Sequence, residues 1–200
     1  LRIKSCKITR PHQKELQEMK SSNEIYAADL SETEIFPVVD SQGKVLGKAT
    51  RRECHSGSRL LHPVVHLHVL NARGEIYLQK RSAHKFIQPG KWDTAVGGHM
   101  DYGETVEQAL AREASEELGY TDYQPHHLFT YVLDSEVECE LVHTYFTVTD
   151  RESFTFDPAE VDEGRFWTVD EIKCAIGKGV LTPNFEQEFL AMVGERALEG

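Results

Sequence analysis

Two hundred residues, 40% hydrophobic and 28% charged, are enough for one ordinary core with extensions and suit a soluble globular protein. Twenty-two basic against 33 acidic residues leave a formal charge of −11 at pH 7, which disfavours nonspecific binding to nucleic-acid phosphates. No apolar run approaches the ~20 residues that span a bilayer, and the opening Leu1-Arg-Ile-Lys lacks a signal-peptide h-region, so the expected setting is cytoplasmic, with no membrane and no nucleic acid among the partners. Since the first residue is not Met, part of the chain upstream is expected to be missing. Cys6, Cys54, Cys139 and Cys174 are scattered and form no Cys-x-x-Cys pair, which favours reduced thiols over disulfides or a thiolate zinc site.

Taken in order, residues 11–20 predict a short polar helix and the stretch to Ser31 a loop, giving an N-terminal extension over 1–34 and a main domain over 35–198. Two short apolar runs around Asp40-Ser-Gln-Gly43 predict a hairpin over 35–50. Pro63 to Leu70 is β-branched and apolar, Asn71-Ala-Arg-Gly74 turns, and Glu75 to Lys80 returns as a second strand. Gln88-Pro89-Gly90 breaks this arm, and Trp92 to Val96 predicts a further strand leading into Gly97-Gly98. Thr105 to Leu118 contains neither Pro nor Gly and is stopped by Gly119, the pattern of a helix of about four turns. Strands are expected over 128–133, 140–149 and 164–168, a helix over 170–176, and a last helix from Thr182-Pro183 to about Leu198. Strands, helix, strands and helix without an internal repeat predict a mixed sheet flanked by helices, in the α+β or α/β class.

The central helix carries the chemistry. Glu113, Glu116 and Glu117 are separated by three and four positions and so fall on one stripe, while Leu110, Ala111, Ala114 and Leu118 form an adjacent apolar stripe. Like charges at those spacings repel by a few tenths of a kcal/mol per pair, roughly, when exposed. Clustered hard oxygen donors suit Mg²⁺ or Mn²⁺, which bridge readily to phosphates; the alternative is a solvated acidic face.

The full pattern is Gly98, five residues, Glu104, seven residues, then Arg112-Glu-Ala-Ser-Glu-Glu-Leu-Gly-Tyr120. It resembles the Nudix box, and Ala114 and Tyr120 stand where the family usually carries a bulky aliphatic at packing positions. The resemblance implies a Nudix α/β/α sandwich with a central mixed sheet, and hydrolysis of a diphosphate joined to another group, most often a nucleoside diphosphate derivative. It implies Glu116 and Glu117 as principal metal ligands and Glu113 as a third ligand or the acceptor of the water's proton, with the Gly97 carbonyl completing the shell. Glu104 and Arg112 are implied to tie loop to helix as a buried pair. Glu160, Glu163, Glu138 and Glu140 are the further candidates for a general base. Dimers are frequent in the family, so a homodimer is allowed for.

Residues 48–105 are also similar to isopentenyl diphosphate isomerase, a branch of the same superfamily, without a gap through LLHPVVHLHVLNARGEIYLQKRSAHKFIQPGKWDTAVGGH. That resemblance implies a second, transition-metal site at His55, His62, His99, Glu138 and Glu140, and diphosphate contacts at Arg51, Arg81 and Lys85. Without it, a strand-edge His is more often a hydrogen-bonded core or surface residue. Two departures separate the branches: the isomerase's acid/base Cys falls at Gly97, which has no proton to give, and its Trp falls at Asn184. The expected activity is therefore hydrolysis on an isomerase-like scaffold, the rivals being isomerisation with an unconventional acid and a nucleotide-sensing module.

Overall fold

The computed structural model describes residues 33–85, 87–135, 138–156 and 161–196; the expected helix over 11–20, Cys6, Glu160 and the chain beyond 196 lie outside the described residues. The expected hairpin is present as β1 (Ile35–Val39) and β2 (Val45–Thr50), an antiparallel ribbon of its own. Its turn closes because Asp40 Oδ1 accepts hydrogen bonds from the backbone N–H groups of Gln42 and Lys44. A one-turn helix that the sequence reading omitted, α1 (Arg51–Cys54), follows directly, with Thr50 and Glu53 forming a capping box.

The main sheet is built on β3 (Leu61–Asn71), which pairs in parallel along its whole length with β8 (Cys139–Thr149). Antiparallel neighbours complete it: β4 (Ile76–Arg81) and β6 (Val96–His99) share the other edge of β3, β5 (Trp92–Asp93) and β9 (Val161–Trp167) flank β4, and β7 (His126–Asp134) flanks β8. The alternation of β3 decides the layers. Val65, Leu67 and Val69 face α2 (Val106–Leu118), while Leu70, with Ile76 and Leu78 of β4, faces α3 (Val169–Ala175) and α4 (Pro183–Arg196). The result is the expected α/β/α sandwich around a mixed sheet. Among the described residues no helix is long and apolar enough to cross a membrane, and Cys54, Cys139 and Cys174 are free thiols.

Three expectations are corrected. The predicted strand from Trp92 to Val96 is two strands, because Thr94 leaves the β4 edge and its hydroxyl donates to the Leu67 carbonyl, so that β6 pairs with β3 and continues through Gly97 and Gly98 to His99. The strand expected over 164–168 begins earlier, at Val161. Ala111 is exposed; the buried side of α2 is Ala109, Leu110, Ala114 and Leu118, since one helical step of ~100° past Leu110 already points to solvent.

The departures at Ala114 and Tyr120 are absorbed by packing. Ala114 is fully buried, and Tyr120 folds under the end of α2 against Tyr123 and Phe154 after Gly119 caps the helix at φ +57. Removing the Leu110 side chain should open a cavity between α2 and β3, costing about 3 kcal/mol, whereas Ala111→Lys should change stability by less than about 0.5 kcal/mol. Urea unfolding of both variants checks the pair of outcomes.

Candidate functional site

One cleft of about 680 Å³ gathers residues from the β1–β2 ribbon, α1, β3, β4, β6, α2, β8 and the start of α4. On one wall stands α2. Glu117 turns its carboxylate inward, where Oε2 accepts hydrogen bonds from Gln79 Nε2 at 3.0 Å and from the Gly97 N–H at 3.1 Å. Burial, reinforced by the Glu113 charge, pushes its carboxyl up to about 8. Glu113 lies so close over β6 that a Cβ added at Gly98 would stand 2.0 Å from its Cδ, so any side chain there would displace the Glu113 carboxylate. Burial raises the Glu113 carboxyl too, against the lowering effect of Arg112. Glu116 is the exposed member of the stripe, its side chain 61% accessible.

Arg112 organises this wall. Its Nε and one terminal nitrogen each donate to Glu104 at 2.9 Å, the latter nitrogen also to the His99 carbonyl at 2.9 Å, and the other nitrogen to Glu113 at 2.7 Å and Glu116 at 3.3 Å. Glu104 in turn accepts from the Asp101 N–H, so the loop before α2 is fastened to it through a half-buried ion pair. Hydrogen bonding to Arg112 holds the Glu104 carboxyl below its ordinary value.

On the opposite wall His55, His62, His99 and Glu140 converge, one donor atom from each lying within 4.8 Å of all the others. His55 follows α1, His62 and Glu140 are register partners on β3 and β8, and His99 ends β6. Their rings are wedged by Phe36, a residue the sequence reading missed, which stacks on His99 with centroids 4.5 Å apart. Burial, with the neighbouring His99 second, drives His55 down to about 3, and burial likewise drives His99 down to about 4 and lowers His62. The three imidazoles are thus held neutral, with His55 Nε2 and His99 Nε2 sharing a hydrogen bond at 3.0 Å. His62 shows that the set fits a metal: its Nδ1–H donates to the Leu60 carbonyl at 2.9 Å, leaving a buried Nε2 lone pair with no hydrogen-bond partner. Glu138 stands farther out, 3.9 Å from His55 Nε2, and lines the cleft without joining the tight group.

The basic residues Arg51, Arg81 and Lys85 all reach the cleft, as do Gly97 and Asn184. Arg51 pairs with Glu34 at 3.1 Å, and Arg81 donates to the Ile87 carbonyl at 3.0 Å and to Asp93 at 3.3 Å. Asn184 donates to the same Asp93. Glu163 is exposed on β9 and does not line the cleft, which removes it as a base candidate.

Sequence reading also missed a buried group below the floor: His66 and His68 of β3, Tyr131 of β7 and Glu188 of α4. His62, His66 and His68 are separated by even numbers, so the period of a strand placed them on one face and was the available signal. Nothing local in the sequence tied them to Glu188.

Residues 60–185 match the NUDIX domain family, and the chain belongs to the Nudix hydrolase superfamily. It is 28% identical over 160 residues to isopentenyl-diphosphate Delta-isomerase 1 of Photorhabdus laumondii, covering 76% of this chain and 90% of that one. An uncharacterised Nudix hydrolase of Yersinia pestis is 30% identical over 137 residues, covering 68% and 73% respectively. A third relative, an uncharacterised Nudix hydrolase of Nostoc, is 39% identical over 89 residues, and there the match spans 44% of this chain and 53% of the relative, about half of its length. In three dimensions the fold is similar to DR0079 from Deinococcus radiodurans, at a TM-score of 0.69 and 22% identity over 79% of this chain and 98% of that one.

The Glu117 carboxyl gives a stability prediction for protein stripped of divalent ions. Its folded pKa of about 8 lies above the value of 4.5 expected in the unfolded chain, so its contribution is fully present below pH 4.5 and is lost as pH rises through 8. At pH 8 in EDTA, Glu117→Gln should therefore melt roughly 3 °C or more above the parent, with the difference shrinking towards pH 5. Thermal melts across that range read both effects.

Proposed function

We propose that this chain is a divalent-metal-dependent hydrolase that cleaves a diphosphate linkage joining a nucleoside or a comparable group to a second moiety. The observation that carries this reading is the inward-turned Glu117 carboxylate, held by the Gly97 N–H beside Glu113 and Glu116. Burial of ionised carboxylates side by side is unfavourable unless a cation joins them. Glu113, Glu116 and Glu117, with the Gly97 carbonyl as a further donor, are the residues that would hold Mg²⁺ or Mn²⁺. Such an ion supplies neutralisation of phosphoryl charge and makes a water molecule more acidic.

The chain's own residues do the rest. Arg51, Arg81 and Lys85 converge on the cleft from three segments, and their charges suit a polyanionic chain that the acidic wall would otherwise repel. Glu113 serves either as a third ligand or as the acceptor of a proton from the attacking water, and Glu138 is the alternative base on the far wall, since His99 and His62 hold Glu140 below the ordinary carboxylate range. Arg112 and Glu104 keep the carboxylates aimed and do not touch the substrate.

The orphaned Nε2 of His62 supports a second metal at His55, His62, His99 and Glu140, with imidazole donors suited to Zn²⁺ or Mn²⁺. This cluster and the isomerase relatives favour isomerisation of isopentenyl diphosphate as the rival reading, and the absence of a side-chain acid at Gly97 counts against it. Incubation with prenyl diphosphates, nucleoside triphosphates, dinucleotides and nucleotide sugars, with Mg²⁺ or Mn²⁺, separates the two, because isomerisation conserves the diphosphate and hydrolysis releases phosphate or a monophosphate.

On a substrate found in that panel, Glu117→Gln should lower kcat by about 10²-fold or more; near-parental turnover would sink the assignment. Elemental analysis after soaking in Zn²⁺ or Mn²⁺ should find an equivalent of metal that is lost in His62→Ala. Equal occupancy in both proteins would place the ion elsewhere.

A further inference from the structure

The buried group below the cleft floor is asymmetric. Glu188 is wholly inaccessible, and its two oxygens accept three hydrogen bonds: Oε1 from His66 Nδ1 at 2.6 Å and from the Tyr131 hydroxyl at 2.7 Å, and Oε2 from His68 Nε2 at 2.7 Å. His68 uses both ring nitrogens within the protein, its Nδ1 lying 3.4 Å from the Thr94 hydroxyl. His66 uses only one. The residue is 7% exposed, it lines the cleft, and among the described residues nothing hydrogen-bonds its Nε2.

The position of that free edge is defined by its neighbour across the sheet. His66 is the register partner of Gly97, whose N–H holds Glu117, and a Cβ added to Gly97 would stand 3.3 Å from His66 Cδ2 and 3.5 Å from Nε2. The missing side chain at 97 is what leaves the imidazole edge open to the cleft. A ring that served only to satisfy Glu188 would need no edge open to the cleft, and covering that edge without giving it a partner would be destabilising. Fixing Nδ1–H to a buried carboxylate is instead how an imidazole is oriented for work at its other nitrogen. The cleft already offers cations to a polyanion on its rim, and His66 adds a donor at its floor, between the acidic helix and the His cluster.

We propose that His66 is a substrate-contacting residue whose Nε2 hydrogen-bonds a phosphoryl oxygen of the bound diphosphate, with Glu188 as the positioning residue that fixes the ring from below. This rests on the reading of the cleft as a diphosphate site. The geometry of Glu188 supports it: a buried carboxylate 2.6 Å from Nδ1 behind the ring lets the imidazole carry a proton at Nε2 when a phosphoryl oxygen lies in front of it. Tyr131 and His68 hold the carboxylate and stay out of reach of the ligand.

The test uses the full chain, with methylenediphosphonate and Mg²⁺ as a non-hydrolysable probe. In ¹⁵N–¹H spectra of the histidine rings, the His66 Nε2 signal should move on titration while its Nδ1 signal moves little. His66→Gln should lower kcat/KM roughly ten- to hundredfold, the scale of losing a charge-assisted hydrogen bond, and Glu188→Gln should raise KM with a smaller change in kcat. Gly97→Ala, which covers the Nε2 edge, should weaken probe binding with the His66–Glu188 pair intact. Since His66→Gln alters a buried position, the ring signals of the parent protein provide the measurement that does not depend on a variant folding. An Nε2 signal that stays put while the probe binds, or a folded His66→Gln with parental kinetic constants, overturns the proposal and leaves the diphosphate reading standing. If the probe does not bind and Glu117→Gln turns over normally, the reading of the cleft has failed and this contact with it.

Discussion

The docking of α2 against the backbone of β6 is the constraint on which the rest of the site depends. Three successive residues of the strand each accommodate one feature of the helix: Gly97 donates its N–H to Glu117, Gly98 lacks the Cβ that would collide with Glu113, and His99 gives its carbonyl to Arg112. A shift of one residue in the β3–β6 register would exchange the faces of the strand's side-chain positions, so that Gly98 would no longer lie beneath Glu113. The acidic stripe is therefore aimed by strand pairing as much as by the helix that carries it. The forked guanidinium of Arg112 then closes the loop onto the helix with a geometry that a lysine could not reproduce.

The same strand, β6, joins the two halves of the cleft. It begins beside the acidic helix and ends in His99, which completes the imidazole cluster with His55, His62 and Glu140. The β1–β2 ribbon stands outside the main sheet, yet it holds that cluster upright through Phe36 and delivers Arg51 to the rim. Segments distant in sequence thus meet over a few ångströms. The net negative charge of the chain does not describe this place, because Arg51, Arg81 and Lys85 line the same cleft as the carboxylates, and a bound polyanion would experience the local arrangement.

Placing so many ionisable groups away from water sets stability against function. Burial raises Glu113 and Glu117 and lowers His55, His62 and His99, so each group is shifted towards its neutral form. Such an array is expected where ligands must be bound, and a core selected for stability alone would replace it with apolar residues. Glu140 and Glu188 run the other way: His99 and His62 hold the first below the ordinary carboxylate range, and the second is matched by three donors and remains ionised below the sheet. Glu188 fastens α4 to β3 and β7 while leaving one imidazole edge facing the cleft.

The sequence alone determined the order and type of nearly every described element, the apolar face of α2 apart from Ala111, and the acidic stripe. These follow from local periodicity, from Gly119 as a stop and from fixed spacings within a helix, which short-range geometry enforces. The resemblance to known families supplied the imidazole cluster, and the fold drew four of its five residues tightly together. Only the tertiary structure decided that Trp92 to His99 is divided between two strands, that Glu163 points away from the cleft, and that Phe36, Gln79 and Glu188 serve it. Each of those outcomes depends on contacts between residues far apart in the chain, such as the 122 positions between His66 and Glu188. Pairing over that distance is set by how sheets and helices pack, and no local pattern of residue types encodes it.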